Sequence, residues 1–200
     1  MDLMLQPGEP AEIAAGVMAV GWAGFAAILV IGKRGAAKGA AHRDLKSTAG
    51  FGLQCAAYGG CFVFHRAYIS PLLPQQPWTE TPFAILVAAL TGVSVWLCFT
   101  AARALGRQWA LTARVIEGHE LIRQGPYAVV RNPIYLAMLG MLLASGLAVS
   151  IWWAIAAATV VFAIGTAIRI RTEENLLRAN FGPSFEAYAQ DVPAFLPLKW

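Results

Sequence analysis

Long apolar runs separated by short polar or basic connections set the rhythm of this chain. About 20 apolar residues suffice to cross the hydrocarbon core as a helix. The pattern therefore predicts five transmembrane helices, at residues 13–31, 49–69, 83–102, 134–148 and 151–168. The last two are short and meet at "VSIWWA" with no polar loop between them, which predicts a C-terminal helical hairpin with Trp152 and Trp153 at an interface. A re-entrant pair is the alternative for these two runs. Glycines such as Gly21, Gly24, Gly59 and Gly60 are expected to let helices approach closely. Pro71, Pro74, Pro77 and Pro82 are expected to stiffen an outer loop.

Composition agrees with an all-α integral membrane protein. Of 200 residues, 58% are hydrophobic and 13% charged, with a mean hydropathy of +0.58, far from the balance of a soluble domain. The formal charge of +4 does not point to nucleic acid, because the basic residues flank apolar runs instead of forming a polar face. Lys33, Arg34, Lys38, Arg43 and Lys46 follow the first run, and Arg103, Arg107, Arg114, Arg123 and Arg131 follow the third. The positive-inside rule places both groups and the C-terminal tail in the cytoplasm, with the N-terminus outside, as in a bacterial inner membrane. Cys55, Cys61 and Cys98 all lie in apolar runs and are expected to be buried hydrophobes. No His lies at ligand spacing from a cysteine pair, so no metal site is expected.

The unusual chemistry lies in the second half. In "LIRQGPYAVVRNPIY", Gly125 and Pro126 suggest a turn, and Asn132 before Pro133 suits a helix start, where free amides can hold an anion such as a carboxylate. Arg131 anchoring to lipid phosphate, with Tyr127 and Tyr135 as interface aromatics, explains the same residues without a ligand. Beyond the fifth run, "IRIRTEENLLRANFGPSFEAY" places Arg169 and Glu173 on one helix face at spacing four, with Glu174 turned elsewhere. One glutamate can pair with an arginine while the other faces a cationic guest. Together the two clusters describe either a receptor for a zwitterion or an Arg–Glu network that seals the hairpin. A tail holding Phe185, Tyr188, Phe195 and Trp200 reads as an amphipathic cover or an interfacial anchor.

On "GPYAVVRNPIY" and "RIRTEENLLRANFGPSFEAY", in that order across a helical hairpin, the chain resembles the isoprenylcysteine carboxyl methyltransferase and phospholipid methyltransferase superfamily of integral membrane enzymes. The resemblance covers about the last half of the chain. It implies a single domain over residues 1–200, with residues 103–200 as a catalytic half holding S-adenosylmethionine in a cytoplasmic pocket. It also implies that Gly125, Pro126, Tyr127, Arg131, Asn132, Pro133 and Tyr135 form the cofactor-side motif. Glu173 and Glu174 would be the acidic pair near the cofactor's amino group, and Arg169 would orient the acceptor, so that Arg169, Glu173 and Glu174 are the catalytic candidates. The implied reaction is methyl transfer to a lipophilic acceptor such as a phospholipid, a prenylated substrate or another membrane-soluble carboxylate, amine or thiol. Asn132 stands where the isoprenylcysteine enzymes usually have His, and Phe185 where a Tyr is common. Two other classes compete: a membrane reductase of related architecture using NADPH, and a non-catalytic membrane assembly factor.

Overall fold

The computed structural model describes residues 9–35, 45–66, 77–106 and 121–197. Within these the chain forms six α-helices: α1 (Glu9–Gly35), α2 (Leu45–Val63), α3 (Pro77–Leu105), α4 (Pro133–Val149), α5 (Trp152–Phe181) and α6 (Pro183–Asp191). A 3-10 turn, Gly125–Ala128, precedes α4.

Three of these helices, and not the expected five, are long and apolar enough to cross a bilayer, within α1, α3 and α5. The two runs that fall short do so for different reasons. Lys46, Ser47, Thr48 and Gln54, together with four glycines, dilute the hydropathy of α2, and the helix ends at Val63 instead of continuing to residue 69. The 17 residues of α4 rise about 25 Å, less than a hydrocarbon core of about 30 Å. Two other expectations also change. Pro77 and Pro82 lie in α3 and not in a loop, while Pro71, Pro74 and Trp200 fall outside the described residues.

The apolar faces explain the arrangement. α4 is apolar all round, and such a helix is stable only when surrounded by others. It touches α1, α2, α3 and α5, between the α1–α3 pair and the α2–α5 pair. Met141, Leu142 and Ala144 of α4 are fully buried. Trp22 Nε1 of α1 donates to Ser145 Oγ at 3.0 Å, and the Tyr58 hydroxyl of α2 donates to the Met138 carbonyl at 2.6 Å. The outer helices instead expose large apolar side chains, including Val20 and Ile31 on α1 and Val93, Trp96 and Phe99 on α3. These are the faces that lipid would cover. Cys55 is exposed as well, contrary to expectation, whereas Cys61 and Cys98 are buried.

Two features bring polar groups to one end of the helices. Only Ser150 and Ile151 separate α4 from α5, so residues near the start of α4 lie beside residues late in α5. α5 has 30 residues, about ten more than a crossing needs, and those last residues carry Glu173, Glu174 and Arg178. The close approach of α2 to α5 rests on Gly50 and Gly165. A Cβ built on Gly50 would lie 2.7 Å from the Gly165 carbonyl oxygen, and one on Gly165 would lie 2.7 Å from that of Gly50. Gly59 and Gly60 meet nothing within 4 Å, whereas a Cβ on Gly21 would collide with Thr91 Cγ2 of α3 and one on Gly24 would lie 3.7 Å from Val95 Cγ1. Two of the four glycines expected to permit packing therefore do so, between α1 and α3.

Candidate functional site

The turn that opens "GPYAVVRNPIY" needs glycine. Gly125 has φ +62°, a left-handed conformation that side-chain-bearing residues rarely adopt. Pro126 then supplies the carbonyl that accepts from the amides of Val129 and Val130, both at 3.1 Å. Asn132 occupies the N-cap position of α4 with Pro133 as the first helical residue, yet its side chain does not cap. Its amide donates to the Ala194 carbonyl at 2.8 Å instead.

Arg131 works in the same direction. Its Nε donates to Glu174 Oε1 at 2.9 Å, with Nη2 at 2.9 Å from the same oxygen. Nη1 donates to the carbonyls of Ala189, at 2.9 Å, and Val192. The Arg131 amide donates to the Pro193 carbonyl at 2.9 Å. One side chain thus ties the start of α4, the end of α5 and the segment after α6 together. Each of its side-chain bonds is assisted by the guanidinium charge.

The two glutamates face different partners, as adjacent helical positions must. The Tyr135 hydroxyl donates to Glu173 Oε1, and Arg169 Nη2 lies 3.6 Å from the same oxygen. Glu174 takes Arg131 and, at 3.9 Å, Arg178. Both glutamates are therefore paired with arginine, where the sequence left one of them to face a guest. Arg178 also donates to Glu186 of α6 at 2.6 Å, which closes a chain of alternating charge across the end of α5.

α6 lies over this cluster. Phe185 and Tyr188 are its buried residues, and the Tyr188 hydroxyl donates to the Tyr127 carbonyl at 2.6 Å. Burial pushes the Tyr188 phenol from 10.0 up to about 12, and burial also holds the Tyr127 phenol well above its usual value. Both stay neutral at ordinary pH, so Tyr188 remains a donor. The tail therefore covers the cluster through named bonds, although composition alone suited simple anchoring equally.

Two spaces meet at the 3-10 turn. On one side is a cavity of about 70 Å³ bounded by Tyr127, Arg131, Asn132, Glu174, Phe185 and Tyr188. On the other is an apolar groove of about 760 Å³ running along α3, with Trp96, Phe99 and Arg103 on one wall and Pro126 and Val129 on the other. Tyr127 faces the first space and Pro126 the second. Of the predicted residues, Tyr127, Arg131, Asn132 and Glu174 line the small cavity. Gly125 and Pro126 line the groove. Tyr135, Arg169 and Glu173 form a linked trio deeper in the helices. Pro133 is fully buried as the first residue of α4.

The pattern of the phospholipid methyltransferase family matches residues 83–184. The chain belongs to that family. The match begins in α3 and ends in α6, and so takes in the turn, both glutamates and all three arginines that pair with them. The nickel-cobalt-cadmium resistance protein NccN of Alcaligenes xylosoxydans xylosoxydans is 31% identical over 135 residues, covering 60% of this chain and 62% of that protein. The cobalt-zinc-cadmium resistance protein CzcN of Cupriavidus metallidurans is 32% identical over 129 residues, covering 64% of this chain and 57% of its own length. The chain thus spans less than two thirds of either relative. Among the described residues no group of three His, Cys, Asp or Glu side chains is placed to hold a metal ion.

The sequence missed Gln54, a buried amide of α2 that bonds Arg169 Nη1 at 3.2 Å. A signal was available, since an amide inside an otherwise apolar run must find a polar partner. Arg178 and Tyr188 were also missed as members of the site. Their roles depend on where α6 folds back, which periodicity does not show.

Proposed function

We propose that this chain is an S-adenosylmethionine-dependent methyltransferase of the membrane, acting on a lipophilic acceptor that lies along the α3 groove. The observation that carries the reading is the shared wall. A single turn, Gly125–Ala128, separates a small cavity lined by charged and hydrogen-bonding groups from an apolar groove of about 760 Å³. Methyl transfer from a water-soluble donor to a lipid-soluble acceptor needs that adjacency.

The donor set fits the amino-acid end of the cofactor. Glu174 suits its ammonium, Arg131 and the Asn132 amide suit its carboxylate, and the phenols of Tyr127 and Tyr188 add hydrogen-bonding groups. The space of about 70 Å³ matches that end alone, since whole small-molecule sites run to about 300 Å³ or more. When bound, the cofactor supplies an activated methyl group on sulfur. The chain's own task is to align the acceptor and exclude water. α6 and residues 189–194, held by Arg131 and Asn132, serve the second purpose. Arg169, between Tyr135 and Glu173, is the candidate for orienting a carboxylate acceptor. An amine acceptor would instead have to lose a proton, and Glu173 or Glu174 is then the candidate base. Residues 103–200 form the catalytic half in this reading, with its charged end cytoplasmic. The names of the two relatives tie them to metal resistance; the step proposed for this chain is methyl transfer and involves no metal.

Calorimetric titration of the full chain in mild detergent with S-adenosylmethionine and its demethylated product, against NADPH as control, tests the proposal. Saturable binding of the sulfonium pair is expected, weakened in Glu174→Gln. Filling the groove with Val129→Trp is expected to lower methyl transfer to lipid acceptors more than tenfold while leaving cofactor affinity within about twofold. Binding of NADPH alone by folded protein would move the assignment to a reductase.

A further inference from the structure

The trio of Tyr135, Arg169 and Glu173 has a support that comes from outside the family-matched residues. Arg169 is 5% exposed, and the side chains around it leave its guanidinium little freedom. The ring of Tyr135 lies 5.1 Å from the guanidinium carbon and that of Phe51 5.6 Å. Phe51 belongs to α2, as does Gly50, whose missing Cβ leaves the space that Arg169 Cγ fills; a Cβ there would lie 2.7 Å from it. Gln54 completes the α2 contribution. Its Nε2 donates to Thr166 Oγ1 at 2.9 Å, and its Oε1 accepts from Arg169 Nη1 at 3.2 Å.

We propose that Gln54 is a positioning residue for Arg169: it fixes the guanidinium beside Glu173 and so keeps the acceptor-facing side of the site in register. A carboxamide suits both partners, because its NH₂ donates to the Thr166 hydroxyl while its oxygen accepts from the Arg169 guanidinium, and it is the acceptor end that holds the arginine. Thr166 and Arg169 are three positions apart on α5 and share a face, so a single Gln side chain on α2 bridges both. The amide cannot flip without turning its NH₂ toward the arginine. Gln54 and Thr166 are each 1% exposed, so no water competes for either bond, and a lost bond to a charged group in such a place is costly. Arg169 in turn reaches Glu173, which accepts from Tyr135. The chain of bonds therefore runs from α2 through α5 to α4.

This inference rests on the proposed methyltransferase reading for its functional consequence, but its geometry can be tested without a cofactor. The full chain, labelled with ¹⁵N-arginine in detergent, reports the Arg169 Nε–H resonance, assigned by its loss in Arg169→Lys. Gln54→Leu is expected to shift or broaden that resonance, and Gln54→Glu, which keeps an acceptor at the same reach, to retain a single sharp one. In parallel, methyl transfer to a lipid-soluble carboxylate is expected to fall about tenfold in Gln54→Leu, with affinity for the demethylated cofactor within about twofold of the parent, and to recover to within about threefold in Gln54→Glu. If Gln54→Leu does not fold, Thr166→Val, which frees the other end of the amide, replaces it. An Arg169 resonance unchanged by Gln54→Leu or its substitute overturns the proposal. So does a loss of methyl transfer that Gln54→Glu fails to rescue. A parent protein that binds no cofactor sinks the methyltransferase reading, while the arginine resonance still decides the role of Gln54.

Discussion

Replacing Arg131 by Met tests whether the tail is held by one side chain. Arg131 makes charge-assisted bonds to Glu174, Ala189 and Val192, and its side chain and that of Glu174 are only 12% and 11% exposed. Removing one member of a buried pair costs about 3–5 kcal/mol, because the other charge is left without compensation. Here the remaining partner, Arg178 at 3.9 Å, is 42% exposed and softens that loss. Arg131→Met is therefore expected to cost about 2–4 kcal/mol. The cost should appear first as lost hydrogen-exchange protection in α6 and residues 189–194, whose anchors it removes, and not in α4. Glu174→Gln alone should cost less, since a neutral amide still accepts from the guanidinium. The double variant should then be less damaging than the sum of the two by about 1–3 kcal/mol. Exchange protection in α6 unchanged by Arg131→Met, or single effects that add to within about 0.5 kcal/mol, would refute the clamp.

Gly50→Ala is expected to force α2 and α5 apart, because the new methyl would meet the Gly165 carbonyl and Arg169 Cγ at 2.7 Å; a destabilisation of about 1–3 kcal/mol follows, read by thermal unfolding in detergent, with Gly59→Ala as a near-neutral control. Tyr188→Phe removes the donor to the Tyr127 carbonyl and is expected to cost about 1 kcal/mol. The same variant should alter the alkaline response: a phenol raised from 10.0 to about 12 stabilises the fold fully below pH 10 and loses that contribution as pH passes 12. The parent's stability should therefore fall between those limits by more than that of Tyr188→Phe, with ultraviolet tyrosinate absorbance as the check.

The site was more legible in the sequence than the membrane architecture. The residues of "GPYAVVRNPIY" and the Arg–Glu spacing of α5 were informative because a turn glycine, a Pro-led helix start and a four-residue spacing are local properties. The length of an apolar run overstates the number of spans, because it does not weigh the polar residues inside the run. Lys46 and Gln54 in α2, its early end at Val63 and the 17-residue length of α4 are small departures from an apolar run, yet they decide whether a helix suits the bilayer. Arg131 was read as lipid anchor or ligand-binding side chain, whereas its bonds run to the protein's own C-terminal segment. A partner some 60 residues away in sequence leaves no periodic trace. The glycine pair Gly50 and Gly165 was hidden for the same reason, since which glycines meet depends on how α2 rotates against α5.

The pairing of three arginines with three glutamates in this cluster has a consequence for how a guest is admitted. Arg131 with Glu174, Arg169 with Glu173, and Arg178 with Glu186 balance one another, so the cluster presents little net field to solution. A ligand bearing both an ammonium and a carboxylate does not neutralise this site. It changes partners with it, each ligand charge taking the place of a protein charge of the same sign. Such an exchange leaves the total charge of the pocket unaltered, and the part of its affinity due to these groups should therefore vary only weakly with ionic strength, unlike capture by an arginine patch on the open surface.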